Sequence, residues 1–216
     1  YGETYTVTAS VPRLVGGPGA DTLNFGSFRA VYAGSWNAPA GSGGAYTMSD
    51  PMTGLSWTLE FSNMEVLVGS PHEDRLFSNA QISELHGGEG NDTLIVQMDS
   101  PTPTKLRGGP GADSMSGDAG FDDIHGNQGN DIAHGWEGDD WVVGGQDDDV
   151  LYGDTGNDIV LGNLGADALE GGDGDDLVRG GQGNDSILGG AGDDWIAGDL
   201  GSDTISGGAG ADTFHA

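Results

Sequence analysis

Aspartate recurs at every ninth position through the C-terminal half of the chain. Asp113, Asp122, Asp131, Asp140, Asp149, Asp158, Asp167, Asp176, Asp185, Asp194, Asp203 and Asp212 stand in one unbroken phase. Carboxylates can serve as general acids and bases or as ligands of a hard cation, and strict periodicity separates the two. An acid–base pair needs two carboxylates whose surroundings push their pKa values apart, whereas a repeat gives each one the same surroundings. The period therefore points to structural metal binding. Calcium fits best, because it accepts six to eight oxygens in flexible geometry, while magnesium demands a tight octahedron and zinc prefers nitrogen or sulfur. Other groups with chemistry are sparse. His72, His86, His125, His134 and His215 show no HExxH or comparable zinc spacing and read as scattered surface residues. There is no cysteine, so thiolate metal sites and Cys–His nucleophiles are ruled out. No GxSxG elbow is present, and Lys105 is the single lysine, which leaves no phosphate-cradling loop. The expectation is a non-enzymatic protein with no catalytic residues and no organic cofactor.

Each aspartate is the sixth residue of a nine-residue phrase that runs twelve times over residues 108–215, as in GGQGNDSIL at 180–188. Glycines at positions one and four are expected to supply positive φ, and the small or polar residue at position two tolerates it. The last three residues form a short strand whose middle residue points inward. That inward column runs Met115, Ile124, Ala133, Val142, Leu151, Val160, Leu169, Val178, Ile187, Ile196, Ile205 and Phe214. A turn reverses direction, so two copies complete a coil of 18 residues. Successive coils then stack about 4.8 Å apart as parallel strands in two facing sheets. The aspartates stack with them, Asp131 over Asp113 and Asp140 over Asp122. Two like charges at about 5 Å repel by roughly 1 kcal/mol in water and by several times that at lower dielectric. A cation between the turns removes that repulsion.

Composition agrees. The chain has 216 residues, 43 of them glycine, and is only 35% hydrophobic, so an ordinary compact core is poorly supplied. Its 35 acidic and 6 basic residues give a formal charge of −29, which favours cations as partners over nucleic acid or anionic membrane. A disordered acidic tract would not place an apolar residue at every ninth position.

The phrase resembles the calcium-binding nonapeptide GGxGxDxUx of the RTX (repeats-in-toxin, hemolysin-type) family, closely over 108–215 and partly over 16–24 (GGPGADTLN) and 69–95. The resemblance implies an all-β fold, a parallel β-roll or right-handed β-solenoid, here carrying an inserted antiparallel hairpin segment. It implies calcium held by position-six aspartates and by the carbonyls of positions two and four. Those carbonyl positions are Gly109, Gly111, Asp118, Gly120, Asn127, Gly129, Gly138, Gly145, Asp154, Gly156, Asn163, Gly165, Gly172, Gly174, Gly181, Gly183, Gly190, Gly192, Asp199, Gly201, Gly208 and Gly210. Earlier copies add Asp21, Asp74 and Asp92. Six turns on each edge of the twelve-copy array would leave about ten calcium sites. Asp147 at a fourth position, Trp136 at a second, and His72 in place of a glycine predict local distortion or partial occupancy. The family further implies a module of a larger bacterial protein, a toxin, adhesin or secreted enzyme, exported by a type I system and folding on calcium outside the cell. The alternative is a carbohydrate-binding or surface-layer and adhesin assembly module.

Along the chain, residues 1–24 are expected to hold an N-terminal strand and a first isolated repeat, and 25–68 an aromatic-rich insertion folded as a hairpin over 45–61 around Asp50-Pro51-Met52-Thr53-Gly54. Residues 69–95 form a short degenerate block, 96–107 an extruded loop kept out of any ladder by Pro101 and Pro103, and 108–216 the twelve-copy roll. Position seven points outward, and on one sheet it presents Trp141, Ile159, Leu177 and Trp195. This apolar stripe suits a neighbouring domain, a glycan or self-association. No apolar run is long enough to span a bilayer. The start at Tyr1 without a secretory signal, the phrase Met64-Glu65-Val66-Leu67-Val68-Gly69, and the uncapped Phe214 suggest part of a longer exported protein.

Overall fold

Short apolar triplets separated by glycine-rich turns can each bury one side chain, and the chain stacks these triplets into a solenoid. The computed structural model describes residues 66–78, 82–96 and 103–215 in full, together with the backbone of Thr4–Thr6, Arg13–Val15, Thr22–Asn24, Gly44–Ser49 and Ser56–Ser62. Every regular element among the described residues is a strand, and no helix there is long and apolar enough to cross a membrane.

Two parallel sheets face each other. The larger has eleven strands in the order Thr4–Thr6, Thr22–Asn24, Val66–Val68, Glu84–His86, Thr104–Pro110, Asp122–Gln128, Trp141–Gln146, Ile159–Leu164, Leu177–Gln182, Trp195–Leu200 and Thr213–His215. The smaller has eight: Arg75–Phe77, Thr93–Ile95, Ser114–Ser116, Ile132–Glu137, Val150–Thr155, Ala168–Asp173, Ser186–Ala191 and Thr204–Ala209. Registers such as Val142↔Val160 and Leu151↔Leu169 are offset by one coil of 18 residues, as the sequence period requires.

Side chains alternate across a strand, so the middle residue of each triplet faces inward. Leu67, Leu76, Leu85, Leu94, Leu106, Met115, Ile124, Ala133, Val142, Leu151, Val160, Leu169, Val178, Ile187 and Ile196 form one continuous buried column. Ile205 packs against it half-buried, whereas Phe214, expected inside, is 57% exposed because no described strand lies beyond Thr213–His215.

The expected loop over 96–107 needs correction at its C-terminal end. Thr104–Pro110 is a strand of the larger sheet, with Lys105 beside both Glu84 and Asp123 and Leu106 buried between Leu85 and Ile124. Lys105-Leu106-Arg107 is itself an alternating triplet with one apolar residue, a signal that the two prolines obscured. The pairing Leu106↔Leu85 spans 21 residues where the regular offset is 18, so three extra residues are taken up before Pro103.

The aromatic insertion is spliced between neighbouring coils, since Thr22–Asn24 pairs directly with Val66–Val68. Gly44–Ser49 and Ser56–Ser62 pair antiparallel, Met48 opposite Trp57, which is the expected hairpin. Arg13–Val15 adds to it in parallel. Its turn at 50–54 and the alternation at Phe28, Ala30 and Tyr32 lie outside the described residues.

Candidate metal centre

Stacking at one coil per 18 residues brings the position-six aspartates into two ladders, one along each edge of the roll. In each ladder a main-chain N–H donates to the carboxylate one coil on: Asp113 N to Asp131 Oδ1 at 2.8 Å, Asp131 to Asp149 at 2.8 Å, and on the other edge Asp140 to Asp158 at 2.7 Å and Asp158 to Asp176 at 2.8 Å. One oxygen of each carboxylate is thereby satisfied. The other is not. Oδ2 of Asp92, Asp113, Asp131, Asp140, Asp149, Asp158, Asp167, Asp176, Asp185 and Asp194 is buried without a hydrogen-bond partner. Buried polar atoms are normally paired, and an unpaired buried carboxylate oxygen is costly. Asp203 and Asp212 continue the ladders half-buried, and Asp21 lies outside the described residues.

Each orphaned oxygen sits against the first-position glycine of its own turn. A Cβ on Gly162 would lie 2.2 Å from Asp167 Oδ2, and one on Gly108 2.2 Å from Asp113 Oδ2. Position one therefore needs glycine for room and not for positive φ, which corrects the expectation; left-handed backbone occurs at positions two and four. That conformation turns the carbonyls of both positions toward the following turn. A Cβ on Gly129 would meet Gly111 O at 2.0 Å, one on Gly145 Asn127 O at 2.4 Å, and one on Gly183 Gly165 O at 1.6 Å. Each gap between stacked turns is thus lined by carbonyl oxygens from below and by a carboxylate above.

The electrostatics record the same lack. Burial, only partly offset by the ladder hydrogen bond, pushes Asp113, Asp158 and Asp167 up to about 6, Asp92, Asp131, Asp140 and Asp176 to about 7, and Asp149 to about 8. Asp185 and Asp194 are raised for the same reason.

Among the described residues no three His, Asp or Glu side chains converge on one point. Any ion here must take most of its ligands from main-chain carbonyls. An all-oxygen, carbonyl-rich donor set suits calcium and not zinc.

The sequence departures behave unequally. Trp136 takes φ 77°, inside the 66–129° range of the other second positions, so the expected distortion there is absent. Its indole N–H is held by Ser116 Oγ at 2.9 Å and its ring lies against His134. Asp147 does distort its turn: it takes φ 73° where Gly165 and Gly183 take 147° and 139°, and Gly129 beneath it shifts to 109°. In the copy at 69–77 neither Ser70 nor His72 is left-handed, as His72 led us to expect. The copy at 117–125 departs without a warning in its residue types, for neither Asp118 nor Gly120 has positive φ.

Two features were missed in the sequence. Fifth-position Asp and Asn side chains form an outer ladder: Asp139 Oδ1 accepts the Asn157 N–H at 2.8 Å, Asn157 that of Asp175 at 2.9 Å, and Asp175 that of Asp193 at 2.8 Å. The enrichment of Asp and Asn at that position was the available signal. The second is the Arg107–Asp123–His125 cluster at the head of the outward stripe, where the Arg107 guanidinium meets Asp123 at 2.6 Å and His125 at 2.9 Å from it stacks edge-on to Trp141. Below it Trp141, Ile159 and Trp195 are exposed and Leu177 half-buried on successive strands.

A family model described as the RTX calcium-binding nonapeptide repeat (4 copies) matches residues 68–96, 107–142, 134–169, 161–196, 170–205 and 188–216. No curated protein matches the chain.

Proposed function

The chain belongs to the RTX calcium-binding nonapeptide repeat family, and from that premise we propose that it is a calcium-triggered folding module of a larger exported bacterial protein. RTX repeats bind calcium, and the family and the β-solenoid fold are typically structural, not enzymatic. RTX repeat proteins are generally exported. The single observation that carries the proposal is the set of ten buried, unpartnered Oδ2 atoms.

The ligands would be the position-six carboxylates together with the second- and fourth-position carbonyls of the facing turn. When bound, the ion supplies positive charge between stacked carboxylates and coordinates otherwise unpaired oxygens. The chain's own residues do the rest. Left-handed backbone at positions two and four aims the carbonyls, first-position glycine makes room for the carboxylate, and the ladder N–H fixes its rotamer. Seven consecutive turns on one edge, starting at residues 87 to 198, and five on the other, starting at 135 to 207, share this conformation. They leave six gaps and four, hence about ten sites. At the low calcium of the cytosol the acidic chain would stay extended for type I export; outside, at roughly 10⁻⁴–10⁻³ M calcium, binding would drive folding.

Equilibrium dialysis against millimolar calcium tests the ligand assignment. About ten ions per chain is the expected result, and one or two would overturn it.

A second reading, a carbohydrate-binding or assembly module, is favoured by the exposed column Trp141, Ile159, Leu177 and Trp195. Its test is a change in tryptophan fluorescence on adding soluble glycans.

A further inference from the structure

Residue five of each turn stands between the fourth-position carbonyl and the sixth-position carboxylate, and its N–H shares one peptide plane with that carbonyl. A trans peptide is planar, with N–H and C=O pointing in opposite directions. Among the described residues every peptide bond is trans. Fixing the direction of the residue-five N–H therefore fixes the direction of the residue-four carbonyl.

Fifth-position side chains supply that fixing from one coil below. Asp139 Oδ1 accepts the Asn157 N–H at 2.8 Å, and the carbonyl of the same peptide, Gly156 O, points the other way, so that a Cβ on Gly174 in the following turn would lie 1.8 Å from it. Asn157 holds Asp175 at 2.9 Å, with Gly174 O aimed at Gly192, and Asp175 holds Asp193 at 2.8 Å, with Gly192 O aimed at Gly210. Asp193 holds Ala211 at 2.8 Å. On the other edge Asn91 holds Ala112, Asp148 holds Ala166, and Asn184 holds Ser202, at 2.8–2.9 Å. That edge is interrupted at Ala112 and Ala166, whose side chains carry no acceptor.

The backbone follows these bonds. The residues before the seven held N–H groups, Gly111, Gly156, Gly165, Gly174, Gly192, Gly201 and Gly210, all take φ between 139° and 155°. Gly90 at 116°, Gly129 at 109° and Asp147 at 73°, the left-handed fourth positions outside that range, each precede an N–H that no fifth-position side chain holds. Gly138 and Gly183 reach 144° and 139° unaided. The seven acceptor side chains are exposed, so they fill no space in the core.

We infer that the fifth-position Asp and Asn side chains are positioning residues for calcium, each aiming the fourth-position carbonyl of the turn one coil on without touching the ion. The inference rests on the ligand assignment proposed above. A carbonyl already held in its bound direction loses less freedom when the ion arrives, which raises affinity.

Asp175→Ala and Asp175→Asn remove the same charge, and only asparagine keeps an acceptor for the Asp193 N–H, as Asn157 does for Asp175. Equilibrium dialysis of the full chain across a series of buffered free-calcium concentrations is expected to give the wild-type count for both at saturation. Asp175→Ala should need about fivefold more free calcium to fill its last one or two sites, the worth of one net hydrogen bond, while Asp175→Asn fills close to the wild type. In chemical denaturation the two variants should differ more in calcium than in chelator under osmolyte. Equal filling by the two variants, or an equal stability difference in both conditions, would overturn the inference. Asp176→Asn separates that failure from failure of the ligand assignment. If it loses ions while the Asp175 variants fill alike, only the inference falls; if it loses none, both fall.

Discussion

Asp176→Asn should destabilise the roll in calcium and spare it in chelator. The carboxylate sits mid-array, its Oδ1 accepting the Asp158 N–H at 2.8 Å and its Oδ2 buried without a partner. Asparagine keeps the size and, with its Oδ1, the ladder bond, but removes the charge. In calcium the loss is that of the ions the carboxylate helps hold. One ion at a hundred times its dissociation constant stabilises the fold by about 2.7 kcal/mol, and the two gaps flanking Asp176 set an upper bound of about 5 kcal/mol. In chelator the sign changes: burial pushes Asp176 up to about 7, so near neutral pH the wild type carries a partly ionised, desolvated group that asparagine lacks. Chemical denaturation of both proteins, each in millimolar calcium and in chelator under osmolyte to populate the fold, reads the two differences. Equal destabilisation in both conditions would refute the reasoning and reduce Asp176 to an ordinary hydrogen-bonding residue.

The raised carboxylates give a pH dependence whose sign depends on calcium. Without metal, Asp131 and Asp140 at about 7 and Asp149 at about 8 hold protons that the unfolded chain releases near 4, so metal-free strand content is highest in acid and falls as pH rises from about 4 to 8; circular dichroism in chelator showing the opposite slope would contradict this. With calcium the bound carboxylates are ionised, so proton competition lowers affinity as pH falls through 8 to 6, measurable by calorimetric titration at fixed pH steps. Asp147→Gly frees its turn to take the φ near 140° of its neighbours and should raise stability in calcium by about 1 kcal/mol, in thermal melts; a lower melting temperature would contradict it. Trp141→Ser with Trp195→Ser removes exposed side chains only, so calcium per chain stays unchanged while association or solubility shifts, and a fallen ion count would count against an outward role.

The periodic aspartates and the apolar eighth positions made the parallel solenoid, its 18-residue coil and its single-file core legible before any coordinates. What escaped depends on neighbours in the stack and not on the residues of one copy. Thr104 begins a ladder strand that two prolines obscure, and it stands beneath Asp122 where the regular copies place an aspartate. First-position glycine is another case: the sequence shows only that glycine recurs, and whether it serves backbone conformation or space for a carboxylate is decided by where Oδ2 points. Trp136 shows the converse, a residue that looks disruptive and is held in place by Ser116 and His134 from adjoining copies.

Folding on calcium is tested most directly by measuring far-UV circular dichroism and radius of gyration on the full chain at neutral pH, first in excess chelator and then in millimolar calcium. A chain of this length should be expanded in chelator, toward the roughly 50 Å of an unfolded polypeptide and without strand signal, and contract in calcium to less than about half that value as the strand signal appears. A compact, strand-rich chain in chelator, unchanged by calcium, would contradict it.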